Sequence, residues 1–385
     1  MNIILFDTNR ATYYPFSFTR PIAYFRIGIL TIKEKWEQYY KSVSVKTEDY
    51  LSKKFTQNIQ NDNLWIDART LPSQSLVTEL NSLRIGEALE KDGDIIAFRK
   101  SNFCTLKLNI IDSNSSFNSL NNLCEIFSKN AREINNDFDI LVKGKKSAYI
   151  NSTNTIIGDN IFIAEGAKVS CSILNSEHGP IYIGKDAEIM EGSIIRGPFA
   201  MCNNSTLKLG AKIYGPTTIG PFCKIGGEVN NSVFFGYSSK AHDGFLGNSI
   251  IGEWCNLGAD TNCSNLKNNY ATVKIWSYVE ESFRSTNLQF CGLIMGDHSK
   301  CGINSMLNTG TVIGISANIF GSGFPRNFIP SFSWGGSSGF SIFKLSKAFD
   351  VVEKVFSRRN LNFEKVDQDI LEHVYAMTKR YRNEL

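Results

Sequence analysis

A period of six residues, setting in near residue 147, constrains this chain more than any other feature. Ile157-Gly158, Ile163-Ala164 and Val169-Ser170 are spaced by six, and so are Ile183-Gly184, Ile189, Ile195-Arg196 and Met201. The register is read as resuming at Leu209-Gly210 and continuing through Ile219-Gly220 and Ile225-Gly226. It returns at Ile251-Gly252, Leu257-Gly258 and Cys263, and again at Met295-Gly296, Cys301-Gly302, Leu307 and Ile313-Gly314. A unit this short cannot bury an apolar face alone, so successive turns must stack. An aliphatic residue followed by a small one implies a triangular β-solenoid with three short strands per turn. The aliphatic side chain points into the prism, and the small residue lets the backbone round the corner. Four places after the aliphatic, a second inward slot holds Ile161, Ala167, Ala187, Ser193, Ser205, Cys223, Cys255 and Thr261. Of the 30 glycines, 27 fall between Gly144 and Gly339, so the architecture on either side is of another kind.

Residues 1–145 read as a small α/β domain. The run Ile3 to Phe6 suggests a strand, 27–42 a helix, 71–89 another, 94–98 a strand and 119–134 a third helix. Residues 146–330 form the solenoid, and 331–385 a helical extension. In that extension Phe349, Val352 and Phe356 share one helical face, and Ile370, Val374 and Met377 another, as in helices packed on a solenoid flank. The opening MNIILFDTNR reads as a first strand and not a signal peptide. No apolar run approaches the ~20 residues of a membrane span. The 41 basic and 37 acidic residues are dispersed, which disfavours nucleic acid as a partner. Nine Cys without paired spacing read as reduced thiols of a cytoplasmic protein, and those in inward slots as small hydrophobes; no metal site is expected.

The period is read as interrupted at about 230–248 and 265–292, and breaks in a solenoid become loops that commonly bind ligands. One of only four histidines, His242, lies in the first break, near an Asn/Lys-rich segment. An imidazole is suited to take a proton at neutral pH.

The segment SKAHDGFLGNSIIG followed by NLGADTNCSNLKN, with LKLGAKIYGPTTIGPFCKIG upstream, resembles the hexapeptide-repeat acyltransferases. Within them it is similar to the acetyltransferase half of the bifunctional N-acetylglucosamine-1-phosphate uridyltransferase/glucosamine-1-phosphate acetyltransferases. A divergent branch of these, labelled sugar nucleotidyltransferases, looks closer still over the whole chain. The resemblance is strong over about 205–320 and weak before 145. It implies a left-handed parallel β-helix that assembles as a homotrimer. The implied reaction is acyl transfer from acetyl-CoA to the amine of a phosphorylated or nucleotide-linked amino sugar.

Carried over by resemblance, His242 is the general base and Asn265 contacts the amino sugar near the acyl donor. Lys208 stands where the family has a phosphate-gripping Arg, which keeps the charge but loses the bidentate fork. Phe245 stands where the family has a Tyr hydroxyl, and Gly226 where it has a second Lys. Lys224, Lys240 or Lys267 could supply the missing charge.

A zinc carbonic anhydrase on the same solenoid would need His178, His242 and His298 together; their wide spacing lacks the close pair of that group. The N-terminal stretch faintly resembles sugar-1-phosphate nucleotidyltransferases, yet DTNRATYYP has no glycine for a phosphate-cradling loop. Arg10, Arg20 and Arg26 are the residues that could hold a phosphorylated ligand there. Nucleotidyl transfer with Mg²⁺, or a non-catalytic sugar-nucleotide-binding scaffold, are therefore the alternatives.

Overall fold

The computed structural model describes residues 1–382, which form two compact units. The first comprises Met1–Tyr13, Thr19–Phe25 and Leu30–Leu123. The second begins at Cys124 and also takes in Tyr14–Phe18 and Arg26–Ile29. The first unit thus ends at Leu123, where the sequence suggested a boundary near 145.

A six-stranded sheet forms the first unit, in the order Val43–Lys46, Asn2–Phe6, Asn63–Asp67, Asp94–Lys100, Glu87–Lys91, Asn109–Asp112. The first three strands are parallel, and Asp94–Lys100 runs against both of its neighbours. The expected helix at 27–42 is shorter, Ile32–Glu37, because Thr31 and Glu34 close a reciprocal capping box that starts it late. Likewise 71–89 yields only Gln74–Ser82, opened by the Ser73 hydroxyl on the Leu76 amide at 3.3 Å.

Three sheets of eight, nine and ten strands form the faces of the solenoid, parallel except for the closing hairpin Ser333–Gly336/Gly339–Ile342. This is the hexapeptide-repeat β-helix expected. Its inner columns are Leu174, Ile195, Ile213, Val229, Leu246 in one sheet and Met201, Ile219, Phe234, Ile251, Met295 in the next, all buried. The third column runs Val169, Ile189, Leu207, Ile225, Lys240.

Two register assignments are corrected. Leu207, not Leu209, is inward: Leu207 is 0% exposed and Leu209 68%. In the first coil Ile156, not Ile157, stands in register with inward Leu174. The expected break at 230–248 is not a break either, since it carries the strands Val233–Gly236, Ser239–Lys240 and Phe245–Gly247. Its inward residues Phe234, Lys240 and Leu246 keep the six-residue spacing, but an aromatic ring and an ammonium hide it. The second break is real: an antiparallel hairpin, Lys274–Ser277 with Ser282–Ser285, leaves the solenoid there.

Helices Glu125–Ser128 and Asn130–Val142 belong to the solenoid unit. Asn130 Nδ2 donates to Pro216 O at 2.9 Å, and Asp137 accepts the Ile29 amide at 2.8 Å. Gly28 between them has φ +75°, and a Cβ there would lie 2.5 Å from Asp137 Oδ2. The C-terminal helices Leu345–Ser357 and Lys365–Met377 lie on a flank, as expected. There Phe356 covers Trp254 at 4.4 Å, and Arg359 donates to Phe222 O at 2.9 Å.

Candidate functional site

Corner lengths create a concavity around His242 and Lys208. Where the chain passes from the third inner column to the first, corners 208–211, 241–244 and 258–261 each have four residues. The intervening corner, 226–227, has two, although the strands on both its sides stay in register. Two residues missing from one ridge leave a notch between the ridges above and below. That notch is a cleft of about 510 Å³ lined by Lys208 and Leu209 on one side, Gly227 at the floor, and Ala241, His242, Asp243, Ala259 and Asp260 on the other.

Only glycine fits the short corner. A Cβ on Gly226 would lie 2.4 Å from Ala241 O and 3.1 Å from Lys208 Cβ. Gly227 adopts φ +69°, and a Cβ on it would lie 2.8 Å from Asp243 Cα. Lys208, Gly226 and Ala241 thus occupy one column in successive coils, so the walls stand roughly 10 Å apart, two strand spacings.

The structure brings His242 and Lys208 together in this cleft. His242 is exposed and Lys208 half-buried. The carboxylates Asp243 and Asp260, which the sequence reading did not single out, share the wall with His242. Their only sequence signal is their position in corners of matching length. Lys240 lies behind this wall, in the inner column, 1% exposed. Its ammonium donates to Gly226 O at 3.0 Å and His242 O at 2.9 Å, tying the short corner to the one that carries the imidazole. Burial pulls its pKa down to about 8, against the opposing pull of Asp243, Asp260 and Glu228.

Other candidates lie elsewhere. Phe245 and Asn265 meet over Gly247, where a Cβ would lie 2.7 Å from Phe245 Cζ and 2.5 Å from Asn265 Nδ2. Asn265 donates to Asn248 Oδ1 at 2.8 Å, and neither residue lines the cleft. Lys267 donates to Thr272 O at 3.2 Å and lines a different cavity, under the hairpin.

Arg10 is buried in the first unit, paired with Asp7 at 2.5 Å and bonded to Thr47 at 2.9 Å. Arg20 is buried as well, at 6% exposure. Arg26 belongs to the solenoid unit, where Nε donates to Phe235 O at 3.1 Å and the guanidinium also meets Ile29 O.

His178, His242 and His298 fall on three different corners of the prism, so one chain cannot bring them to a common metal. His298 instead extends a ladder of corner rings. Phe222 stacks on Tyr237 at 5.0 Å, Tyr237 on Trp254 at 4.2 Å, and Trp254 on His298 at 6.4 Å. All four residues hold φ between +56° and +63°, a left-handed conformation costly for bulky side chains that stacking here offsets. Between Cys171 and Cys301 every thiol but Cys171 is buried, in keeping with a packing role.

Residues 3–146 match a family model described as sugar nucleotidyl transferase. Among curated relatives, the bifunctional protein GlmU of Wigglesworthia glossinidia brevipalpis is 30% identical over 152 residues, 38% of this chain and 29% of that protein. The bifunctional sugar-1-phosphate nucleotidylyltransferase/acetyltransferase of Sulfurisphaera tokodaii is 30% identical over 144 residues, 37% of this chain and 35% of that protein. The chain therefore spans about a third of the length of the relatives it matches. Among solved structures, the polySia-specific acetyltransferase NeuO is 12% identical with a TM-score of 0.25, covering 50% of this chain and 87% of that one. Among the described residues no helix is long and apolar enough to cross a membrane.

Proposed function

We propose that the solenoid is an N-acyltransferase in which His242 accepts the proton of an attacking amine. The acyl donor is acetyl-CoA, and the acceptor is a phosphorylated or nucleotide-linked amino sugar. The observation that carries this reading is the pairing of an exposed imidazole and a lysine ammonium across one cleft. Relatives named for nucleotidylyl- and acetyltransfer support it.

The amine nitrogen forms a bond to the acyl carbon, the carbon–sulfur bond breaks, and the sulfur leaves as a thiol. Only a neutral amine attacks, so His242 takes the proton that the new amide cannot keep, and that proton finally resides on the thiol. Lys208, across the cleft, attracts the acceptor's phosphate as a point charge rather than a fork. Asp243 and Asp260 favour an arriving ammonium and the imidazolium that forms. No nucleophilic cysteine is needed. Asn265 is engaged by Asn248 and stands outside the cleft, so in this reading it serves acyl transfer only from a second copy in a homotrimer.

A second reading, nucleotidyl transfer by the first unit, draws on the family match over residues 3–146. That chemistry implies Mg²⁺. At the carboxyl ends of the parallel strands, Asp7 accepts from Arg10, Thr47 and the Ile22 amide, at 2.5, 2.7 and 2.9 Å. Asp67 accepts from Thr8 at 2.8 Å and from the Arg69 guanidinium at 2.7 Å. Carboxylates neutralised by arginines in this way do not fit a Mg²⁺ site, and no step is derived through one.

The deciding experiment incubates the full chain with acetyl-CoA and a panel of amino-sugar phosphates and nucleotide-linked amino sugars, reading thiol release. A parallel arm reads pyrophosphate release from nucleoside triphosphates and sugar 1-phosphates with Mg²⁺. Acceptor-dependent thiol release is expected. Thiol release at background with every amine contradicts the reading, and pyrophosphate release in its place adopts the second.

A further inference from the structure

The hairpin that leaves the solenoid and the C-terminal segment Lys379–Arg382 enclose a second cavity, of about 800 Å³. It shares no lining residue with the His242 cleft. Tyr381 and Arg380 close one side through Glu281, at 3.2 and 2.9 Å. That pair cancels the charge of Arg380. Three further cations line the cavity, Lys267, Lys274 and Arg326, and none of them has a carboxylate partner among the described residues.

Its apolar wall is aromatic. Trp276 lies flat on Phe328, with ring centroids 4.2 Å apart and planes 9° apart, so one indole face is already used. Phe283 meets the indole edge-on at 5.5 Å and remains 44% exposed, leaving its own face open. The buried indole N–H of Trp276 has no acceptor among the described residues. Among the described residues, folding brings no carboxylate to these three cations, and it leaves an exposed phenyl ring and an orphaned donor beside them. Each of these features carries a cost that a suitable ligand removes.

We propose that this cavity binds a nucleoside diphosphate group, with the base on the Phe283 ring and the two phosphates among Lys267, Lys274 and Arg326. The volume lies within the ~300–1,000 Å³ of ordinary small-molecule sites. An anion without a base would leave the aromatic wall unused, and a base without phosphates would leave the cations unpaired. The group occurs in nucleotide sugars and in the adenosine portion of an acyl carrier, and the two sources share this chemistry. The proposal does not depend on the role of His242.

Calorimetric titration of the full chain with UDP, ADP and inorganic pyrophosphate tests it. A nucleoside diphosphate should bind at least tenfold more tightly than pyrophosphate; preference for UDP identifies the nucleotide-sugar source, and preference for ADP the carrier source. Lys274 and Arg326 are both exposed. Their joint replacement, Lys274→Ala with Arg326→Ala, should weaken binding at least tenfold while leaving the unfolding midpoint unchanged. Phe283→Ala should erase the advantage over pyrophosphate. Absence of binding of either nucleotide at millimolar concentration overturns the proposal. Full affinity in the double variant does so as well, because it places the site elsewhere.

Discussion

Lys240 occupies a position that earlier coils fill with Ile189, Leu207 and Ile225, so Lys240→Met probes the cost of its charge. The residue is 1% exposed, and burial lowers its pKa from 10.5 to about 8. That drop is worth roughly 3 kcal/mol of preference for the neutral form. The folded-state pKa lies below the unfolded one, so between pH 8 and 10.5 this lysine holds its proton more firmly in the unfolded chain, and its contribution to stability rises with pH. Below pH 8 the penalty is fully present, and above 10.5 it is gone. Lys240→Met has no such dependence. Urea unfolding of both proteins at pH 7, 8, 9, 10 and 10.5 isolates the effect by difference, since every other titrating group cancels. The advantage of the Met variant over wild type should shrink by about 3 kcal/mol across that window. Parallel stability curves would mean that Lys240 is solvated and not buried. Because the ammonium holds the His242 carbonyl, the variant should also loosen the cleft wall, visible as faster amide exchange at 241–244.

The register correction is tested by a pair: Leu207→Asp should destabilise the protein by several kcal/mol, through a carboxylate without a partner in the core, whereas exposed Leu209→Asp should leave the urea midpoint in place. Gly227→Ala should cost about 2 kcal/mol or more, from a left-handed backbone plus a Cβ pressed on Asp243, and should lower thiol release by displacing the His242 corner. Phe245→Tyr should leave turnover unchanged in a single-chain site, because the ring does not line the cleft; improved use of glucosamine 1-phosphate would instead place it on the acceptor.

The repeat was legible because each inner column demands an apolar residue at a fixed interval, and most coils supply Ile, Leu, Val or Met. The reading slipped where neighbours were equally apolar. Ile156 and Ile157 differ in nothing but position, and the two leucines of Leu207-Lys208-Leu209 compete for one slot. At 230–248 the spacing persisted while the chemistry changed, so Phe234 and Lys240 looked like a loop. His242 was legible as a rare imidazole in an atypical coil. The cleft beside it was not, because it arises from comparing corner lengths across coils, and Gly226-Gly227 reads locally like any other turn. Arg26 looked like a phosphate ligand; only tertiary structure reveals the carbonyls of Ile29 and Phe235 that occupy it.

If His242 takes the amine's proton, its removal must show in the pH–rate profile of His242→Ala. With acetyl-CoA and the best acceptor of the panel, acceptor-saturated turnover should fall roughly 10²- to 10⁴-fold, the usual worth of a positioned base. The Michaelis constant for acetyl-CoA should stay within a few-fold, and the acid limb of the wild-type profile should vanish. A His242→Ala protein that keeps both its acetyltransfer rate and that limb would show that His242 is not the base and leave the cleft without one.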